Sequence, residues 1–231
     1  MNTFSLIIPV AAPAKDRMPH EFMLDEEGSM YCVKAILGLN LDAFQALYFT
    51  ILREHDEKYF IAENLAIQFR KHKIDKAQVV ILDQATNSQV ETVHQCIEQM
   101  GIEGAIFIKD ADGYFEANIS PHNCIVTYSL EQMEFVKPKL KCYVDIDDFD
   151  NVINIIEKRI VGHTFGCGGY GFEEAAEFCH LYQSIKNYQN LYVSHIIFAA
   201  LLKKTPYRAI HAQNYIDWST HPIQALYHAP N

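Results

Sequence analysis

The sequence of 231 residues contains no long apolar run, no basic run and no closely spaced cysteine pair. A membrane-spanning helix needs about 18 or more consecutive apolar residues. No stretch approaches that length, so we predict no transmembrane segment. The net charge is −10, and no basic patch with interleaved aromatic residues is present, which argues against nucleic-acid binding. An acidic chain that binds phosphates must do so locally, through a few placed cations, backbone amides or a metal ion.

The cysteines and histidines show none of the familiar metal-site patterns. None of the six cysteines forms C-x-x-C or has zinc-finger spacing, and H-E-x-x-H is absent. Scattered, reduced thiols fit a cytoplasmic protein. The N-terminal stretch MNTFSLIIPVAAPA lacks the cationic segment of a signal peptide. We therefore predict a first β-strand there and a cytoplasmic location.

The chain does contain a regular alternation of strand-like and helix-like segments. Continuous apolar, β-branched runs predict buried strands at 4–10, 77–83 and 104–110. Apolar residues at helical spacing predict helices at 41–55, 62–72 and 87–101. The second half is richer in strands, predicted at 123–130, 139–146, 152–160, 164–172 and 207–218. Helices are predicted near 173–188 and 192–204, with a short one at the C-terminus.

This order predicts an α/β fold with a mixed, mainly parallel sheet between helical layers. The composition is 49% hydrophobic and 21% charged, so the chain can bury a core of substantial size. No repeat, low-complexity tract or linker interrupts it. We therefore predict a single domain over 1–231.

The stretch GAIFIKDADGYFEA (104–117) runs a buried strand directly into two carboxylates, Asp110 and Asp112. Open α/β sheets bind ligands at the carboxyl ends of their strands, and two carboxylates there suit a hard cation such as Mg²⁺. An ordinary turn explains the same residues, because Asp and Gly are frequent in turns. The sequence alone leaves both explanations open.

Two further segments each have a functional and a purely structural explanation. LDQATNSQVETV (82–93) brings polar side chains to a helix N-terminus, where a base or phosphate can be held. A capping box of Ser88 and Glu91 explains the same pattern. Glu157 and Lys158 are adjacent in a predicted strand, so their side chains should face opposite sides and only one need be functional.

The glycine-rich stretch GCGGYG (166–171) matches the dinucleotide-binding pattern G-x-G-x-x-G. The preceding EKRIVGHTF is a poor buried strand, and no acidic residue follows at the expected distance of about 20 residues. We therefore expect these glycines to let the backbone approach a ligand closely.

Taken in order, these segments resemble the sugar-phosphate nucleotidyltransferases with a GT-A-type fold. FSLIIPVAA resembles their first strand, QATNSQVETV their base-contacting segment and IKDADGYF their metal-aspartate strand. KLKCYV, IIEKRI and GGYGF resemble the later sugar-site strands, LYVSHII the following helix, and YIDWST the segment with the second metal aspartate. The resemblance spans about 4–226 and is strongest to the bacterial capsule and surface-polysaccharide branch. It implies a three-layer, Rossmann-like GT-A fold.

The resemblance also implies roles for individual residues. Asp112 and Asp217 would hold Mg²⁺, with Asp110 close by. The implied nucleotide-binding residues are Ala11, Ala12, Thr86 and Gln89. The implied substrate-binding residues are Lys141, Glu157, Lys158, Gly168 and Gly169. Lys158 is also implied in catalysis, together with Arg17 or Lys15 in the first loop.

The first loop departs from the family pattern G-x-G-x-R followed by P-K. The chain reads AAPAKDRMPHEF, so the loop glycines are replaced and His20 stands where the family has lysine. Pro13 also removes one of the backbone amides that could bind phosphate.

Three functions therefore stay open on the sequence. The first is a Mg²⁺-dependent nucleotidyltransferase that uses an NTP and a phosphorylated sugar-like acceptor, as a monomer or a homo-oligomer. The second is a glycosyltransferase that binds a nucleotide-sugar through D-x-D. The third is a catalytically inactive binding protein on the same fold.

Overall fold

The computed structural model describes residues 4–13, 17–133 and 137–218. The strands are β1 (Phe4–Val10), β2 (Ala46–Leu52), β3 (Ala77–Leu82), β4 (Ala105–Lys109), β5 (Gly113–Glu116), β6 (Cys124–Ser129), β7 (Cys142–Ile146), β8 (Val152–Glu157), β9 (Thr164–Phe172), β10 (Arg208–His211) and β11 (Gln213–Asp217). The helices are α1 (Tyr31–Lys34), α2 (Arg53–Tyr59), α3 (Ile61–His72), α4 (Gln89–Met100), α5 (Ala175–Ile185) and α6 (Val193–Leu202). The predicted C-terminal helix lies outside the described residues.

Nine of the described strands form one sheet in the order β10-β6-β9-β4-β1-β2-β3, with β7 paired to β8 and β9. Only β8 and β9 run against the other described strands of this sheet. This mixed, mainly parallel sheet confirms the predicted fold class. Among the parallel strands, β2 and β3 lie on one side of β1, whereas β4 lies on the other side. The order in which the strands are added to the sheet therefore reverses between β1 and β4. Ligands of open α/β sheets bind outside the carboxyl ends of the strands at such a point.

The two faces of the sheet are covered by different helices, which gives three layers. In β1, Ile7 belongs to the apolar core beneath α4, α5 and α6. Leu6 and Ile8 belong to the core on the other face, with α1 and α3. Successive strand residues point to opposite faces. A strand buried on both faces therefore reads as a continuous apolar run.

The predicted helix over 41–55 is wrong. Ala46–Leu52 forms β2, hydrogen-bonded between β1 and β3, and only Arg53–Tyr59 is helical. The run ALYFTIL is apolar at nearly every position, so it satisfies helical spacing and strand burial equally well. Its β-branched and aromatic content favours a strand.

The predicted strand over 207–218 is divided into two strands that join different sheets. β10 pairs with β6 in the large sheet. After Ala212 the chain leaves that sheet, and β11 pairs antiparallel with β5. This division matters for the site, because β5 directly follows Asp112 and β11 ends at Asp217.

Two sequence-based expectations about the whole chain can be compared with these residues. No helix in the described part of the chain is long and apolar enough to cross a membrane. All six cysteines are free thiols, five of them buried, in agreement with the prediction of reduced cysteines.

Candidate active site

A cleft of about 580 Å³ opens at the carboxyl ends of β1 and β4. This volume lies within the usual range for small-molecule sites. The predicted site residues that line it are Ala11, Ala12, Thr86, Gln89, Asp110, Asp112, Lys141, Glu157, Lys158, Gly168 and Asp217. Residues from distant parts of the sequence thus share one cleft.

Asp112 and Asp217 are brought together by the small β5–β11 sheet. Asp217 stands opposite Gly113 in the register of the two strands. The backbone amide of Trp218 donates a hydrogen bond to the carbonyl oxygen of Asp112 at 3.0 Å. The two aspartates therefore lie beside one another at the cleft. Their role as magnesium ligands stays a prediction.

Asp217 is paired with a lysine, so a metal ion held by the two aspartates would compete with that lysine for one carboxylate oxygen. The Lys141 amine lies 2.5 Å from Oδ2 of Asp217 and 2.8 Å from the Tyr215 hydroxyl. Among the described residues, no three carboxylate, imidazole or thiol ligand atoms of this cleft lie within 4.8 Å of one another. Mg²⁺ is commonly held by one or two carboxylates plus substrate phosphates, and this arrangement offers such a carboxylate pair.

Asp110 is fixed in the wall of the cleft by its neighbours. Gln89 donates to its Oδ1 at 2.5 Å, and the backbone amide of Asp110 donates to the Gly168 carbonyl at 2.8 Å. Burial, and secondarily the nearby Asp112 carboxylate, raises the pKa of Asp110 to about 6. Asp110 therefore connects the start of α4 to β9.

Lys109 is a buried residue that supports the site from behind, and the sequence analysis did not identify it. Its side chain is fully buried, and its amine donates to the carbonyls of Asp110 at 2.6 Å and Gly113 at 2.8 Å. The amine also lies 4.6 Å from the centre of the Phe115 ring. Lys109 thus holds both ends of the turn that carries Asp112. The available signal was a lysine at the end of an otherwise apolar strand.

Glu157 and Lys158 both line the cleft, so the expectation that adjacent residues face opposite sides is wrong here. The cause is local: Lys158 has a φ of 56°, which ends β8 in a left-handed turn. Ser194 donates to Oε2 of Glu157 at 2.6 Å. The Lys158 amine contacts the Tyr192 hydroxyl. The start of α6 therefore holds both side chains.

The two glycines predicted to contact substrate face different sides of β9. Gly168 lines the cleft with a φ of +90°, and a Cβ there would lie 2.8 Å from Asp110 Oδ2. A Cβ on Gly169 would lie 2.7 Å from both the Phe115 ring and Val126. Gly169 therefore faces the core and does not line the cleft. The stretch 166–171 is a strand between β4 and β6 and not a turn before a helix.

At the start of α4 the structure confirms the helix cap, and the binding of a base or phosphate there stays a prediction. Ser88 caps the helix by accepting a hydrogen bond from the Glu91 amide at 3.2 Å. Gln89 turns to Asp110, and Thr86 lies 2.6 Å from the Thr92 hydroxyl. Helix capping therefore explains why Ser88 and Glu91 are present. Thr86 and Gln89 take no part in the cap and line the cleft.

The altered first loop reaches the cleft through residues other than the predicted cations. Lys15 lies outside the described residues, and Arg17 is exposed and does not line the cleft. His20 stacks on Tyr31 at 4.4 Å. Glu21 does line the cleft, and burial, together with the nearby Asp112, raises its pKa. The loop therefore adds a carboxylate that the sequence analysis did not identify.

Several solved structures have a fold similar to that of this chain. A nucleoside-diphosphate-sugar pyrophosphorylase from Vibrio cholerae RC9 superposes with a TM-score of 0.75 at 15% identity, over 96% of this chain and 98% of that one. The inositol-1-phosphate CTP transferase from T. maritima gives a TM-score of 0.71 at 12% identity, over 94% and 89% of the two chains. The chain has a nucleotidyltransferase fold.

A UDP-glucose pyrophosphorylase complexed with UDP-glucose shares this fold, with a TM-score of 0.66 at 12% identity over 95% of this chain and 94% of that one. No protein-family model matches the sequence, and no curated protein sequence matches it. The nucleotidyltransferase likeness is thus one of three-dimensional structure, and the roles of individual residues have to be argued from their own contacts.

Proposed function

We propose that the protein is a Mg²⁺-dependent nucleotidyltransferase that joins a nucleotide from an NTP to a phosphorylated sugar or similar small acceptor, with release of pyrophosphate. The observation that supports it most is the meeting of Asp112 and Asp217 in the cleft at the β1–β4 edge. The proposal includes a cytoplasmic location, which rests on the cysteine pattern and the N-terminal sequence, and a part in surface-polysaccharide synthesis, which rests on the sequence resemblance.

The charges in the cleft support a metal-dependent reaction. Among the described lining residues, five carboxylates (Glu21, Asp110, Asp112, Glu157 and Asp217) face two lysines (Lys141 and Lys158). Two phosphorylated substrates would be repelled by this surplus of negative charge. Asp112 and Asp217 would hold Mg²⁺, which would supply positive charge to offset that of the substrate phosphates.

In this reaction the protein mainly positions its substrates. An acceptor phosphate oxygen attacks the α-phosphorus of the NTP, and pyrophosphate leaves in line with it. Thr86 and Gln89 would lie near the base, at the start of α4. Glu157 and Lys158 would hold the acceptor, and their contacts with Ser194 and Tyr192 keep them at the cleft before substrate arrives.

A second candidate function, a catalytically inactive binding protein, is favoured by the first loop. Pro13 lines the cleft without an amide to donate, and Glu21 places a carboxylate near Asp112. Both features weaken the binding of a triphosphate. Lys141 and Lys158 still line the acceptor side of the cleft, where they could bind a sugar phosphate.

The deciding experiment is a screen of the four NTPs against phosphorylated sugars, polyols and amino-acid derivatives, with Mg²⁺ and pyrophosphate detection. Pyrophosphate release that requires one particular NTP and one acceptor would support the nucleotidyltransferase. A thermal shift with sugar phosphates or nucleotide-sugars, without turnover, would support the binding protein. Sugar transfer from a nucleotide-sugar would instead support the glycosyltransferase.

We expect Arg17→Ala to lower kcat/KM by about 10- to 100-fold, the usual value of one lost charge-assisted hydrogen bond, and His20→Ala to lower it less. A guanidinium stays charged and can bridge two phosphate oxygens, whereas a histidine near pH 7 is mostly neutral. Arg17 is exposed outside the cleft, so its action requires the loop to close over the nucleotide. Steady-state kinetics would measure this, with the exposed Arg70→Ala as control. Wild-type rates for Arg17→Ala would remove Arg17 from the mechanism.

We expect Lys158→Met to raise the KM for the phosphorylated acceptor by about 10- to 100-fold, with nucleotide affinity nearly unchanged. Lys158 lines the cleft beside Glu157, on the side that this proposal assigns to the acceptor. Acceptor KM and nucleotide Kd would be measured separately, with the exposed Lys139→Met as control. If the variant instead loses nucleotide affinity while the acceptor KM is unchanged, Lys158 belongs to the nucleotide side of the cleft and the assignment of the two sides is reversed.

A further inference from the structure

Three side chains of metal-binding type meet where α4 packs against α5, away from the cleft. They are His94 and Glu98 of α4 and Cys179 of α5, and one ligand atom from each lies within 4.8 Å of the others. His94 and Glu98 are four residues apart, so they share one helix face. We propose that these residues form a site for a divalent transition metal such as Zn²⁺. This proposal does not rest on the proposed function.

The packing around His94 already orders its ring. The Gln183 amide lies 3.1 Å from Nε2 of His94, and the Tyr182 ring lies 4.6 Å from the imidazole, centre to centre. Both neighbours belong to α5, as does Cys179. The apolar core joins α4 and α5 beneath them. The imidazole is therefore held between the two helices, and a metal that binds Nε2 has to replace the hydrogen bond from Gln183.

The combination of donors selects the kind of metal. One nitrogen, one sulfur and one carboxylate oxygen suit Zn²⁺, which binds Cys, His and Asp or Glu in tetrahedral sites. Mg²⁺ prefers oxygen ligands and near-octahedral geometry, so it should bind here poorly. Three protein ligands leave the fourth position to water. Neighbouring ligands of tetrahedral zinc lie roughly 3.5 Å apart, and the three ligand atoms already lie within 4.8 Å of one another, so each pair has to approach by at most about 1.3 Å.

His94 is in the protonation state that binds a metal, whereas Cys179 must first lose its proton. Burial lowers the pKa of His94, which keeps its imidazole neutral and able to bind a metal. Burial, and secondarily Glu98, raises the pKa of Cys179 to about 11. On binding, the thiol must therefore release its proton to solvent as its sulfur becomes a thiolate ligand. Among the six cysteines Cys179 can release a proton to solvent most easily, because it is only partly buried and the other five are buried.

A bound metal would connect α4 to α5 directly. The first residue of α4 is Gln89, which holds Asp110 in the wall of the cleft. A ligand that binds the folded state and not the unfolded chain raises stability. We therefore expect Zn²⁺ to raise the Tm of the protein.

The test is a titration of the purified, untagged, metal-free full chain with Zn²⁺ against a chromophoric chelator, together with Co²⁺ absorption spectra. We expect a single equivalent of Zn²⁺ to bind saturably and raise the Tm. We also expect Co²⁺ to give intense visible bands and a thiolate-to-cobalt charge-transfer band. Cys179→Ser should remove the charge-transfer band, and it should lower zinc affinity by at least about tenfold, as should His94→Gln and Glu98→Gln.

The controls distinguish this site from other zinc binding. His180→Gln changes an exposed histidine next to Cys179 and should bind zinc as the wild type does. Glu98→Gln alters an exposed side chain, so its fold should be intact, and the metal-free Tm of each variant would verify this. The proposal is overturned if wild type binds no zinc saturably. It is also overturned if Cys179→Ser and Glu98→Gln keep both the affinity and the cobalt spectrum of His180→Gln.

Discussion

Asp112→Asn is expected to abolish Mg²⁺-dependent turnover, with a loss of about 100-fold or more, together with the rise in Tm that we expect Mg²⁺ to produce in the wild type. The substitution keeps the size of the side chain and removes its charge. Asp112 lies beside Asp217, near the Glu21 carboxylate, so the metal-free cleft carries repelling negative charges. A bound cation offsets this repulsion and stabilises the folded state by mass action. Pyrophosphate release and thermal unfolding, each with and without Mg²⁺, would measure the two effects.

Three further variants make this test specific. Asp148→Asn changes an exposed aspartate outside the cleft and should leave both readouts unchanged. Asp217→Asn should also lower stability without Mg²⁺, because it breaks the ion pair with Lys141. Asp110→Asn should have a smaller effect than Asp112→Asn. If Asp112→Asn keeps the activity and the Mg²⁺-dependent Tm, then KDADGYF is an ordinary turn.

Gly168→Ala is expected to destabilise the protein by roughly 2–5 kcal/mol, a fall in Tm of roughly 5–15 °C for a chain of this size. Two causes act together. A φ of +90° disfavours any residue with a side chain, and the new Cβ would lie 2.8 Å from both Cβ and Oδ2 of Asp110. Asp110 would have to move, and its hydrogen bond from Gln89 would be disturbed.

The same variant should also lose activity at temperatures where it is still folded, by about tenfold or more in kcat/KM. The matched control is Gly162→Ala, whose Cβ would meet only Asp145 Oδ1 at 3.8 Å. Circular dichroism would give Tm, and kinetics well below Tm would give the loss of activity. An unchanged Tm for Gly168→Ala would show that the backbone at this position readily adopts another conformation.

The elements that the sequence predicts well are those with one strong local signal. β1, β3 and β4 are bounded apolar runs, and α4 combines helical spacing with a Ser88 cap and a Gly101 stop. β2 was misread because a strand buried on both faces has no period of its own. The site shows the same contrast. Asp110 and Asp112 stand out in the sequence, whereas Glu21 and Lys109 have no local pattern that marks them.

By itself, the sequence determined the alternation of strands and helices, the α/β class and the residue types available for phosphate and metal chemistry. Those properties follow from apolar periodicity and side-chain chemistry, which are local. Only the tertiary structure decided which residues meet. Because β11 pairs with β5 and not with the large sheet, Asp217 lies beside Asp112. Because Lys158 adopts a left-handed conformation, its side chain lies in the cleft together with that of Glu157. Gly168 and Gly169 face opposite sides of β9. Such choices depend on strand pairing and close packing between distant segments, and no local stretch of sequence contains that information.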